Sequence, residues 1–113
     1  MLSPTLFAPS SEGDLSRFAV IVSELDDANS IALGEQIGGL LDQCKQTVEI
    51  DLGAVEYICS TAIAKILSWH RKLTSRQGKL CLKNAKPFVY EVLNVTGLGR
   101  LMEIQPEGSR DVA

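Results

Sequence analysis

The 113 residues suit one domain, and a hydrophobic content of 45% is enough for a packed core. Eleven basic against fourteen acidic residues leave a net charge of −3, which speaks against a nucleic-acid backbone as partner. No apolar run approaches the roughly 18–20 residues that span a bilayer. The opening "MLSPTLFAPSSEGD" lacks the basic flank and apolar core of a secretory signal. A cytoplasmic protein without direct membrane insertion is therefore expected.

The first elements form a hairpin. "LFA" (Leu6–Ala8) reads as a short edge strand, and "PSSEGD" (Pro9–Asp14) as a turn in which Gly13 can supply positive φ. "RFAVIVSEL" (Arg17–Leu25), apolar and β-branched, is the partner strand. Asp26, Asp27 and Asn29 are N-cap residues for a helix whose stripe is Leu33, Ile37, Leu40, Leu41 and Cys44. Gly34, Gly38 and Gly39 each cost that helix about 1 kcal/mol of propensity relative to Ala. Their presence implies close packing or a flat contact. An exposed "GGLL" (Gly38–Leu41) makes a weak homodimer conceivable beside a monomer.

"TVEIDL" (Thr47–Leu52) alternates strictly, with Val48, Ile50 and Leu52 on one face and Glu49 and Asp51 on the other. A loop with apolar anchors Val55, Tyr57 and Ile58 leads to a second helix that starts at Ser60 or Thr61. Its expected stripe is Ile63, Ile66, Leu67, His70 and Leu73, and Gly78 stops it. Lys65, Arg71, Lys72 and Arg76 line its outer side. "KLCLKN" (Lys79–Asn84) is a strand. Pro87 opens a third helix with Val89, Val92 and Leu93 inside and Gly97 as its cap. "RLMEI" (Arg100–Ile104) is a last strand, and "QPEGSRDVA" is expected to fray.

The order β-β-α-β-α-β-α-β implies parallel pairs joined by right-handed crossovers, with an antiparallel N-terminal edge. The fold class is α/β, with a mixed four- to five-stranded sheet and three to four helices. Only one face of "TVEIDL" is apolar, so one face of the sheet is expected to be less well covered.

Enzymatic chemistry finds little support. Ser60 and His70, the sole histidine, are ten residues apart. On one helix that is about 15 Å, against the 3 Å or so that a nucleophile and its base require. Cys59 at a helix start could have an activated thiol, but no histidine is in reach. Cys44, Cys59 and Cys81 are odd in number and contain no CxxC pair, so neither a disulfide framework nor a metal site is expected. "GLGR" (Gly97–Arg100) follows a helix instead of opening one, so it is a cap and not a phosphate loop. No cofactor is implied. Ser60 and Thr61 at a helix N-terminus can be simple caps, worth about 1 kcal/mol. They can also be phosphoacceptors, because free backbone N–H groups and the helix dipole would accommodate a phosphate there.

Several segments together resemble the STAS domain of the anti-sigma-factor-antagonist type, with a SpoIIAA-like fold. They are "SELD" (Ser23–Asp26), "IDL" (Ile50–Leu52), "CSTA" (Cys59–Ala62), "QGKLCL" (Gln77–Leu82) and "TGL" (Thr96–Leu98). The resemblance runs from about residue 18 to 104, within a single domain of residues 1–113 whose peripheral parts are 1–14 and 105–113. It implies a regulatory binding module, not an enzyme. Its partner would be a serine-kinase anti-sigma factor that brings the ATP, with a phosphatase as resetting enzyme. The first serine of the family's D-S-S-G motif is the phosphoacceptor, and that place falls on Ser60, with Thr61 in the second-serine place. Asp26 matches an acidic residue near the site. The implied partner surface is Asp26, Cys59, Ser60, Thr61, Ala62 and Lys65. Cys59 stands where the family has Asp, and Ala62 where it has Gly. Members without a working acceptor serve as scaffold subunits of stress-signalling assemblies or as small subunits of phospholipid-transport ATPases, which is the alternative role.

Overall fold

The computed structural model describes residues 4–108. Five strands form one sheet in the order β1-β2-β4-β6-β7: β1 is Phe7–Glu12, β2 Leu15–Val20, β4 Thr47–Asp51, β6 Lys79–Ala85 and β7 Glu103–Pro106. β1 and β2 are antiparallel, and the other pairs are parallel. The helices are α1 (Asp27–Gly38), α2 (Ser60–Thr74) and α3 (Pro87–Val95). Two short strands, β3 (Glu24–Leu25) and β5 (Tyr57–Ile58), pair separately in parallel.

The four parallel strands are laid down in chain order. Right-handed crossovers therefore put all three helices on the same face. Burial follows the alternation: Phe18, Val20, Val48, Ile50, Leu80 and Leu82 are at most 4% exposed. The opposite face carries no helix and is closed by charge instead. Arg17 Nε lies 3.0 Å from Glu49 Oε1, and Lys83 Nζ lies 3.8 Å from Glu49 Oε2 and 3.3 Å from Glu103 Oε2. Each such pair contributes at most about 1 kcal/mol. Cys81, on that same face between Glu49 and Glu103, is 4% exposed. Burial pushes the Cys81 thiol up, and the Lys83 hydrogen bond holds the Glu103 carboxyl below its usual range.

Several expected boundaries move. β1 runs through Pro9–Glu12, which composition assigns to a turn, and only Gly13 and Asp14 remain between the paired Glu12 and Leu15. Gly13 has φ +58°, as two-residue hairpin turns favour. Pro9 is tolerated because an edge strand can spare an N–H. The last strand begins at Glu103 and takes in Gln105 and Pro106. Leu98–Arg100 form a 3-10 turn instead. The expected fraying of residues 109–113 lies outside the described residues.

α1 stops at Gly38, and Leu41–Gln43 form a 3-10 turn. Leu41 is 1% exposed and Leu40 half-buried, so "GGLL" is not the exposed patch expected for a dimer. Cys44 leaves the helical stripe, and its thiol donates to Leu40 O at 3.2 Å.

The buried stripe of α2 is Ala62, Ile66, Trp69 and Leu73, while Ile63, Leu67 and His70 are only half-buried. The stripe is rotated because α2 packs on α1 as well as on the sheet. Gly34 and Gly38 allow that approach. The Lys65 stem lies over Gly34, where an added Cβ would be 2.6 Å from Lys65 Cδ. Lys72 Nζ donates to Gly38 O at 2.9 Å.

Gly78 is not the left-handed residue that ends α2. Gln77 takes that conformation, with φ 65°, and Gly78 N donates to Leu73 O at 2.7 Å. Glycine is required at 78 by space: an added Cβ would sit 2.8 Å from Gln46 O and 3.1 Å from Leu73 O, both backbone atoms. Gly78→Ala is expected to destabilise the protein by about 1–3 kcal/mol, as overpacking does. Urea unfolding checks this, and an unchanged midpoint would contradict it.

Candidate functional site

The carboxyl ends of the parallel strands face the helix N-termini, and the β3–β5 pair ties two of these ends together. Glu24 is opposite Tyr57 and Leu25 opposite Ile58. Cys59 N donates to Leu25 O at 3.2 Å, and Glu56 N to Ser23 O at 2.7 Å. α1 and α2 therefore begin side by side.

At the start of α1, Asp26 is the N-cap. Its Oδ1 accepts from Asn29 N at 2.9 Å, while Asn29 Nδ2 donates to Glu24 O at 2.8 Å. Asp26 is thus engaged with its own helix, and the carboxylate that reaches α2 is the next one. Asp27 Oδ1 accepts from Thr61 Oγ1 at 2.6 Å and from Cys59 Sγ at 3.5 Å. The Thr61 bond first, then the Cys59 contact, holds the Asp27 carboxyl below its ordinary range. Ser30 Oγ lies 3.9 Å from Cys59 Sγ, a weak contact.

At the start of α2, the N-cap is Cys59 and not a hydroxyl residue. Its carbonyl accepts from Ile63 N at 3.3 Å, but its side chain makes no capping bond. Ser60 is the first helical residue and is exposed. Among the described residues its hydroxyl makes no side-chain hydrogen bond. The first-turn N–H groups at Ser60, Thr61 and Ala62 precede the first helical donor, so they are free for an anion or for water.

The expected site residues thus divide. Cys59, Ser60 and Thr61 come together. Ala62 is 3% exposed and belongs to the core. Lys65 is on the second turn, half-buried against α1, and not on an outer side of the first turn. His70 is on the same helix as Ser60, with Nδ1 buried and unpartnered among the described residues.

Sequence reasoning misses two features. One is Asp27. The other is Tyr57, expected as an apolar anchor but 45% exposed, stacked at 6.5 Å and 13° on Phe88, itself 51% exposed. Val55 and Ile58 are buried as expected. The three cysteines are free. Among the described residues, no group of three or more His, Cys, Asp or Glu is placed to hold a metal. No helix among them is long and apolar enough to cross a membrane.

The family model of the STAS domain matches residues 17–109. The chain belongs to the STAS domain family. It is 30% identical over 79 residues to BtrV of Bordetella bronchiseptica, which carries the name of an anti-sigma factor antagonist. That match covers 70% of this chain and 68% of the relative, and places the STAS domain here with the anti-sigma factor antagonists. A Thermotoga maritima structure described by that same name superposes with a TM-score of 0.80 at 20% identity, covering 90% of this chain and 87% of the other. The phosphorylated form of the Bacillus protein SpoIIAA gives 0.67 at 20% identity, covering 87% and 89%. At such identities these structures speak for the fold alone.

Proposed function

We propose that this STAS domain is a regulatory binding module and not an enzyme, switched by phosphorylation of Ser60. The observation that carries the reading is the placing of that hydroxyl. It is exposed, engaged in no side-chain bond among the described residues, and set at the first turn of α2 beside unbonded N–H groups. A phosphate there would be tolerated by the fold and would change the surface by about −2 charge. The partner is a cytoplasmic serine-kinase anti-sigma factor, which brings the ATP, and a phosphatase resets the serine.

The docking face is the strand-end surface around Ser60. Tyr57, only three residues before Ser60, and its stacking partner Phe88 supply an exposed apolar centre. Aromatic groups of this kind, flanked by polar residues, are typical anchors of protein interfaces. Unmodified Ser60 permits contact. Phospho-Ser60 blocks it, because an acceptor placed to meet a nucleotide's terminal phosphate then presents like charge and added bulk.

The test is incubation with the cognate kinase and ATP, followed by phosphosite mapping. Modification at Ser60, absent from Ser60→Ala, is the expected result. Failure to modify either Ser60 or Thr61 would leave the constitutive scaffold role as the better account.

A further inference from the structure

We infer that Asp27 selects the phosphoacceptor: it withholds Thr61 from phosphoryl transfer and leaves Ser60 as the usable hydroxyl of the pair. This rests on the phosphorylation reading above and names the side chain that enforces it. Adjacent hydroxyls on one helical turn would otherwise offer a kinase two similar targets.

The two hydroxyls differ in what surrounds them. Thr61 Oγ1 donates a short bond of 2.6 Å to a carboxylate, of the charge-assisted kind that is about twice as strong as a neutral one. It is half-buried and turned toward α1, while Ser60 is exposed. Transfer forms an Oγ–P bond and breaks the bond from the nucleotide's terminal phosphorus to its bridging oxygen. The hydroxyl proton passes to a base on the kinase, and the nucleoside diphosphate leaves. At Thr61 that sequence would break the Asp27 bond and then press a phosphate dianion against the Asp27 carboxylate. At Ser60 no such bond has to break, and Asp27, which is bonded to Thr61 and not to Ser60, opposes the phosphate less.

A carboxylate could instead serve Thr61 as a base. The Asp27 carboxyl is held below its ordinary range, which weakens it as a proton acceptor. The phosphorylated product would still be repelled. Asp27 also lies 3.5 Å from Cys59 Sγ. A carboxylate introduced at position 59 would therefore set its negative charge beside the place that Asp27 Oδ1 holds, from the α2 side of the seam.

The full chain, with wild-type, D27A, D27N and D27A/C59D sequences, is treated with the cognate serine kinase and ATP, and the Ser60-to-Thr61 phosphate ratio is read by mass spectrometry. Wild type is expected to carry phosphate at Ser60. In D27A the Thr61 share should rise at least about tenfold, the factor that the loss of one hydrogen bond of about 1.4 kcal/mol gives. D27N keeps an acceptor oxygen without the charge and should fall between, and it carries the test if D27A does not fold. D27A/C59D should return toward the wild-type ratio. Wild type modified at Ser60, with ratios unchanged in all variants, overturns the role of Asp27 alone. Modification of wild type at Thr61 that D27A abolishes overturns it too, making Asp27 a base. An unmodified wild type overturns both this inference and the phosphorylation reading.

Discussion

Trp69→Ala should cost about 3–5 kcal/mol, the range for removing a buried aromatic side chain. Trp69 is 4% exposed, between α1 and α2, with Nε1 3.4 Å from Gly34 O. That bond is long, so most of the effect comes from lost packing and the cavity left behind. A domain of this size has about 5–15 kcal/mol of stability in all, so the variant should be near unfolding at 37 °C. Trp69→Phe retains much of the buried surface and should lose only about 1–2 kcal/mol, from a smaller cavity and the loss of a long, weak hydrogen bond. Circular dichroism during urea titration separates the two, since the chain has a single tryptophan and its fluorescence disappears with the mutation. If Trp69→Ala lost less than about 1 kcal/mol, the α1–α2 seam would not be a rigid part of the core.

Trp69 also shows where sequence pattern stops being informative. α2 admits two overlapping stripes: one through Ile63, Leu67 and His70, the other through Ala62, Ile66, Trp69 and Leu73. Periodicity alone cannot choose between them, because the choice depends on which side of α2 meets α1. Gly34 and Gly38 decide it, by letting Lys65, Trp69 and Lys72 come close. The β4 strand is legible because one face is wholly apolar and the other wholly polar, with Thr47, Glu49 and Asp51. The outer half of β1 is not, because Ser10, Ser11 and Glu12 are exposed, and their strand geometry comes from backbone bonds to β2 rather than from side-chain preference.

The site follows the same logic. Cys59, Ser60 and Thr61 are legible together because they are consecutive and stand where an apolar strand gives way to a helix. Asp27 is not, because it acts 34 residues away from Thr61. The link between them is the β3–β5 pair, two residues on each side, too short to leave a periodic trace. Asp26 and Asp27 stand together at the start of α1, and only their hydrogen bonds tell them apart. The first carboxylate caps α1, which frees only the second to point across the seam. The missing carboxylate at position 59 is then less of a departure than it looks: a negative charge still lies beside the thiol, supplied by the neighbouring helix.

Ser60→Asp should give opposite signs in two measurements. For stability the change should be neutral or slightly favourable, because an acidic residue in the first turn of a helix gains about 0.3–1 kcal/mol from the dipole. α2 has no acidic residue in its first turn, so this interaction is available. The nearby Asp27 carboxylate opposes part of it, and the melting temperature should move by no more than a few degrees. Binding to the kinase partner should fall by about 100-fold, the equivalent of the roughly 3 kcal/mol that like charges brought together at an interface can cost. Aspartate carries one charge where a phosphate carries nearly two, so the phosphorylated protein should bind more weakly still. Ser60→Ala removes only a hydroxyl that makes no side-chain bond among the described residues, and should bind within a few-fold of wild type while resisting modification. Isothermal titration of the three proteins against the purified kinase, with thermal melts alongside, tests this pairing of signs. Equal affinities for Ser60→Asp and Ser60→Ala would mean that the first turn of α2 does not meet the partner. A large fall in melting temperature for Ser60→Asp would mean that its loss of binding reports unfolding and not a switched surface.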